Sequence, residues 1–176
     1  MNYAVIKWHD VANGPGVRVS LYVSGCRNRC KNCFNPETWD FDYGQPFDPD
    51  AQDKILEALT PGYMSGLTVL GGEPMEPENQ RDLLPFLQRY KERYPDKPLW
   101  LFTGYTYEEL LPGGIRHTEY SEGILALLDI LVDGRFVEEL KDLKLRFRGS
   151  SNQRLIDMKK TRTSGEVIIW EGVEKL

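Results

Sequence analysis

The chain has 176 residues, a formal net charge of −5 at pH 7, and 40% hydrophobic against 28% charged residues. That length buries a sizeable core within a single domain, 1–176, and the composition is that of an ordinary soluble globular protein. The acidic balance speaks against nucleic acid as a partner. No apolar run of about 18 residues suggests a membrane span, and Met1 to Asp10 lacks the basic flank and apolar stretch of a secretory leader.

Tyr3 to Trp8 alternates weakly and reads as a short strand. After the turn Asn13-Gly14-Pro15-Gly16, Val17, Val19, Leu21 and Val23 alternate with Arg18, Ser20 and Tyr22, a strand pattern. Ser24-Gly25 ends it and opens the stretch Cys26-Arg27-Asn28-Arg29-Cys30-Lys31-Asn32-Cys33-Phe34, which holds all three cysteines of the chain. Thiolates are soft ligands, suited to iron–sulfur clusters, zinc or Cu(I). Structural zinc usually takes four ligands, and an electron-carrying four-iron cluster usually takes four cysteines. Three cysteines leave one iron of a cubane without a protein ligand, open to a small molecule. Neither His9 nor His117 stands at a ligand spacing from them. His117 lies in a polar loop, which suggests solvent exposure. Unpaired thiols fit a reducing cytoplasm. Arg27, Arg29 and Lys31 make a local basic patch, either a solvated loop face or a docking patch for a small acidic electron donor.

Asn35 to Pro49 is irregular and aromatic, with Trp39, Phe41, Tyr43 and Phe47. Asp50 suits an N-cap for a helix over Ala51 to Leu59. Gly66 to Leu70 reads as a buried strand, followed by Gly71-Gly72-Glu73-Pro74. Glycine has no Cβ, so a ligand can approach this backbone closely, and carbonyls with the Glu73 carboxylate can accept from an ammonium group. Pro77 to Tyr94 has helical spacing, with Pro85 expected to kink it or delay its start. Leu99 to Thr103 is a third strand, ending in Thr103-Gly104. Short helices are expected over Thr106 to Leu111 and from Ser121 to Leu128. Asp129 to Asp133 is a fourth core strand, and Gly134-Arg135-Phe136 follows it. Phe136 to Lys144 suggests a helix, Arg148 to Gln153 a turn and cap, and Glu166 to Trp170 a last strand.

The spacing C-x3-C-x2-C, with Phe34 directly after it and a Gly-Gly-Glu-Pro turn about 40 residues on, resembles the radical S-adenosylmethionine (SAM) enzymes. Asp133-Gly134-Arg135-Phe136 followed by Arg148-Gly149-Ser150-Ser151-Asn152-Gln153 is similar to one branch of them, the activating enzymes of anaerobic ribonucleotide reductase. The resemblance implies a [4Fe-4S] cluster on Cys26, Cys30 and Cys33, with the methionine end of SAM chelating the fourth iron. It implies a SAM pocket made by Asn32, Cys33, Phe34, Gly71, Gly72, Glu73, Thr103 and Gly104, with Asp133 a further candidate. It also implies a glycyl-radical activase: one electron cleaves SAM, and the 5′-deoxyadenosyl radical removes a hydrogen atom from a glycine of the reductase. A flavodoxin-like protein would be the electron donor. Two alternatives stay open. One is a small-molecule radical SAM enzyme such as a 7-carboxy-7-deazaguanine synthase; the other is a non-catalytic iron–sulfur or zinc module.

Alternating strands and helices give an α/β fold with a mostly parallel sheet. A full (β/α)8 barrel takes roughly 250 residues. The chain therefore suggests an incomplete (β/α) barrel of about five or six units, with its site at the C-terminal strand ends.

Overall fold

The computed structural model describes residues 1–173. Among these, seven strands form one open sheet, accompanied by five α-helices. The strands are β1 (Asn2–Asp10), β2 (Val17–Val23), β3 (Gln45–Pro46), β4 (Met64–Gly71), β5 (Leu99–Phe102), β6 (Ile130–Asp133) and β7 (Arg154–Asp157). Their order across the sheet is β3-β1-β2-β4-β5-β6-β7. The central strands β2, β4, β5 and β6 run parallel. β1, β3 and β7 pair antiparallel at the two margins. The fold is thus mixed α/β around a parallel centre, and the sheet does not close.

Helices make the parallel crossovers, as such connections require. They are α1 (Pro49–Ala58), α2 (Pro77–Arg93), α3 (Tyr107–Leu110) and α4 (Ser121–Leu127); a fifth helix, α5 (Met158–Ser164), follows the last strand. α1 starts two residues before the expected span and is capped by Asp48, not Asp50: Asp48 Oδ1 accepts from Ala51 N at 2.9 Å. Pro85 does not delay α2, which runs unbroken from Pro77. Pro85 lies on the exposed face, where water can take the carbonyl its missing N–H leaves free.

β2 is buried along both faces rather than one. On one face Val19, Leu21 and Val23 join Leu67, Val69, Leu99, Leu101 and Leu131 in the main core beneath the helices. On the other, Arg18 is buried with its guanidinium satisfied by Thr68 Oγ1, Leu67 O and Pro98 O, each at 2.8 Å. It also lies over the Trp100 ring. Trp100 belongs to a smaller core with Ile130, Val132 and Leu155, packed by Phe102, Phe147 and Trp170.

The last third departs from the expected layout. Phe136 to Lys144 holds no α-helix but a 3-10 turn, Glu138–Leu140, and a bridge from Lys141 to Ser150. Arg154–Asp157 is a strand instead, antiparallel to β6, and α5 follows it. Glu166 to Trp170 adds a single bridge, Ile156 to Ile169, and no strand. Because the four central strands are parallel, Val23, Gly71, Phe102 and Asp133 all end on the same side of the sheet, and the segments that follow them meet there.

Candidate functional site

The loop after β2 is tied down on both flanks. Gly25 N and Cys26 N donate to Thr38 O and Trp39 O at 2.8 and 3.2 Å. Glu73 N donates back to Gly25 O at 2.9 Å. Arg29 and Asn32 adopt positive φ, 47° and 54°, which coils the loop tightly between the cysteines. Cys26, Cys30 and Cys33 are half-buried and unpaired, and all three line one cavity of about 600 Å³. Burial pushes the Cys26 thiol up to about 12, helped by the charges of Glu73 and Glu76 and opposed by the backbone N–H groups of Asn28 and Arg29. The Cys30 thiol is also raised, by burial and by Cys33. Thiolates in this setting need a cationic partner, which a metal supplies.

The Gly-Gly-Glu-Pro turn packs directly against this loop. Gly71 has φ 108°, and a Cβ on Gly72 would lie 2.8 Å from Gly25 O and 3.0 Å from Thr38 O. Only glycine lets the two backbones cross here. Glu73 is fully buried and receives four hydrogen bonds from the protein itself. Oε1 accepts from Met75 N at 2.9 Å and Thr103 Oγ1 at 2.7 Å. Oε2 accepts from Gly104 N at 2.7 Å and Asn28 Nδ2 at 2.9 Å. The carboxylate therefore joins the cysteine loop, its own turn and the end of β5. Burial pushes it up to about 7 despite these donors.

The segment after β6 forms the remaining wall. Phe34 is 62% exposed, yet its ring packs 5.3 Å from Phe136, and Lys141 lies over it. Gly134, Phe136, Phe147, Arg148, Gly149 and Gln153 face the same cavity. Gln153 knots this wall: Oε1 accepts from Gly149 N and Ser150 N at 2.8 and 3.1 Å, and Nε2 donates to Gly134 O at 2.9 Å. The Arg-Gly-Ser-Ser-Asn-Gln run thus holds the wall in place through the side chain of Gln153.

Of the expected site residues, Cys26, Cys30, Cys33, Phe34, Gly71, Gly72, Glu73, Thr103 and Gly104 share the cavity. Two do not. Asn32 is exposed and its side chain lies outside the lining. Asp133 is buried behind the wall, where Arg154 Nε and Nη2 donate to its two oxygens at 2.9 and 2.5 Å and Tyr107 N donates at 2.7 Å. It is a latch between β6, β7 and α3. The basic patch is also smaller than the sequence suggests, because Arg27 is spent on Glu76 and Glu78. His117 is half-buried rather than exposed.

Residues that the sequence reading missed are Asn28, at the centre of the C-x3-C spacing, and Glu76, three places after Glu73. Their partners lie 45 and 49 residues away, so only position within the two motifs could have singled them out.

Among the described residues, no three His, Cys, Asp or Glu side chains converge on a point that one metal ion could occupy. A cubane distributes its cysteines over different irons, so its ligands stand farther apart than those sharing a single ion. Three half-buried thiols around one cavity fit that donor set.

Comparison with known proteins agrees. Residues 12–156 match the family described as "4Fe-4S single cluster domain". A protein from Pasteurella multocida is 42% identical over 155 residues, 87% of this chain and 95% of its own length. One from Escherichia coli K12 is 39% identical over 87% of this chain and 96% of its own length. One from Enterobacteria phage T4 is 38% identical over 88% and 93%. All three are named anaerobic ribonucleoside-triphosphate reductase-activating protein. The chain belongs to that family. The matched region of this family member runs from the turn before β2 into β7, so it takes in the cysteine loop, the glycine turn and the Gln153 knot. No helix among the described residues is long and apolar enough to cross a membrane.

Proposed function

We propose that this enzyme activates anaerobic ribonucleotide reductase by generating a glycyl radical on it, using a [4Fe-4S] cluster and SAM. When bound, these two cofactors supply a one-electron cleavage of the sulfonium and a hydrogen-abstracting 5′-deoxyadenosyl group. Cys26, Cys30 and Cys33 are the residues that would hold the cluster. The Gly71–Gly72 backbone, Glu73, Thr103, Gly104 and Phe34 would receive SAM. Glu73 keeps the turn, the cysteine loop and the end of β5 in one rigid arrangement, and orientation is the protein's share of cofactor chemistry. Phe34, Phe136 and Phe147 give the cavity an aromatic lining.

The observation that carries this reading is the convergence of three unpaired thiols and the glycine turn on one cavity at the parallel strand ends. We read the open sheet as an incomplete barrel whose mouth admits a loop of a protein substrate. Arg29 and Lys31, exposed on the cysteine loop, suit an acidic electron donor of the flavodoxin type. A reducing cytoplasm suits the unpaired thiols. Neither the small-molecule enzyme nor the non-catalytic module draws support from relatives that share activating-protein names over most of the chain.

The test is anaerobic reconstitution followed by electron paramagnetic resonance with dithionite, SAM and the reductase. A cluster signal altered by SAM, then a glycine-centred radical on the reductase matched by 5′-deoxyadenosine, supports the proposal. Zinc at one per chain, with no response to SAM, overturns it.

A further inference from the structure

α2 begins at Pro77 behind an N-cap residue, Glu76, whose side chain does not cap its own helix. Short side chains are favoured at that position because they reach the first-turn N–H groups. The Glu76 carboxylate is instead fully buried and turned to the cysteine loop. Oε1 accepts from the backbone N–H of Arg27 at 2.8 Å, and Oε2 accepts from Arg27 Nη1 at 2.7 Å. Arg116 Nη1 stands 3.3 Å away. Arg27 is fixed further by Glu78, at 2.6 and 3.0 Å, and lies over the Phe41 ring. From the same turn of α2, Asn79 Nδ2 donates to Ser24 O and Glu73 O at 2.9 Å each. The first turn of α2 thus grips the chain on both sides of Cys26.

A buried carboxylate is costly unless paired and hydrogen-bonded. Glu76 meets both conditions with two guanidinium groups and one backbone amide. Net charge near a cluster and hydrogen bonds to its sulfurs are levers on its reduction potential. The Arg27 N–H is engaged by a carboxylate and does not donate to sulfur. The Glu76 charge, shielded from water, balances Arg27 and Arg116 beside the loop.

We propose that Glu76 is a positioning residue for the cluster: it fixes the backbone next to Cys26 and offsets the positive charge of Arg27 and Arg116, which holds the cluster's potential low. The one-electron reduction adds a negative charge to the cluster, so removing a neighbouring carboxylate must favour the reduced form. The proposal rests on the cluster reading above. It adds a residue that touches neither substrate nor cofactor.

Three variants test it. Glu76→Gln keeps an acceptor for the Arg27 N–H but removes the charge. Glu76→Ala removes both. Glu78→Gln takes an equal charge from the same arginine at the solvent-exposed side. In dithionite titrations followed by paramagnetic resonance, Glu76→Gln should shift the midpoint to a more positive potential, while Glu78→Gln should leave it in place. In the metal-free chain, Glu76→Ala should reduce hydrogen-exchange protection of the Arg27 amide by roughly tenfold, the loss of one charge-assisted bond, and Glu76→Gln should largely retain it. An unmoved midpoint in Glu76→Gln, an equal shift in Glu78→Gln, or an unchanged Arg27 amide in Glu76→Ala overturns the proposal. Should Glu76→Ala fail to fold, the two glutamine variants decide. Failure of the unaltered chain to take up iron would sink the cluster reading instead, and the Arg27 amide would still judge the positioning role.

Discussion

The Asn28 amide donates to Glu73 Oε2 at 2.9 Å, in space that Gly104 leaves open: a Cβ on Gly104 would stand 2.4 Å from Asn28 Nδ2. Asn28 Oδ1 in turn accepts from Arg135 Nη2 at 3.2 Å. One side chain therefore links the cysteine loop, the glycine turn, the end of β5 and the wall after β6. Among the four donors to Glu73 it is the one side chain of the cysteine loop, and it faces the cavity.

An ammonium group entering beside Glu73 competes with that amide. Asn28→Ala should therefore tighten SAM binding several-fold, by roughly one hydrogen bond's worth, about 1 kcal/mol. It should also lower the stability of the metal-free chain by a similar amount. Calorimetric titration with SAM and denaturant unfolding measure the two effects. Weaker SAM binding in this variant would show that the amide supports the ligand rather than opposing it.

Glu73 also gives the fold a pH dependence. Its folded value of about 7 lies above the ordinary 4.5 because burial disfavours the charge. Below pH 4.5 both the folded and unfolded forms carry the proton. Between 4.5 and 7 the unfolded chain releases it while the folded chain keeps it, so stability falls as pH rises through that window. The loss is on the order of 3 kcal/mol. Denaturant midpoints of the metal-free chain between pH 4.5 and 8 should decline accordingly, and Glu73→Gln should remove that slope. The proton has a place to go: of the four donors, Thr103 can turn its hydroxyl to accept.

Much of this was legible in the chain because its causes are local. The run Val17 to Val23, the cysteine spacing and Gly71-Gly72 each state their geometry within a few residues. β7 was not legible because Arg154–Asp157 is four residues long and only Leu155 and Ile156 are buried. α5 was missed because just Met158 and Thr161 of its seven residues are buried, which leaves no apolar period to read. Asp133 looked like a ligand residue because it ends a strand beside a glycine. Its partner Arg154 sits 21 positions later on a strand that had not been foreseen.

Asp133→Asn should accordingly act on stability and not on the cofactor. It removes the charge facing Arg154, whose guanidinium is held high in pKa first by Asp133 and then by Glu108. Arg154 is one-third exposed and keeps Glu108, so the cost should be roughly 1–3 kcal/mol, below that of a fully buried pair. Thermal or denaturant unfolding measures it. SAM affinity of the folded variant should match the unaltered chain, and a loss of affinity without a loss of stability would return Asp133 to the binding site.

If Cys26, Cys30 and Cys33 hold the cluster as proposed, each should be indispensable. Cys26→Ala, Cys30→Ala and Cys33→Ala each leave two thiols, and iron and sulfide analysis after anaerobic reconstitution should show the cluster lost from all three. The variants should keep the fold, since the thiols are half-buried on a loop held by Thr38, Trp39 and Glu73 backbone groups. A variant that retained four irons would mean that another atom of the chain stands in as ligand.

Gly72→Ala separates the role of the glycine turn from that of its carboxylate. The added Cβ would meet Gly25 O at 2.8 Å, Thr38 O at 3.0 Å and Val23 O at 3.1 Å, all backbone atoms that cannot swing aside. Relieving the contacts means parting the turn from the cysteine loop and breaking Gly72 N to Val23 O or Glu73 N to Gly25 O. Overpacking of this kind costs roughly 1–3 kcal/mol, so the unfolding midpoint should fall. Cluster uptake should fall with it, because Gly25 directly precedes Cys26. Gly62→Ala is the control: a Cβ there meets nothing within 4 Å, and neither quantity should drop. If Gly72→Ala left both stability and iron content intact, the close crossing of the two backbones would not be what holds the cysteine loop in place.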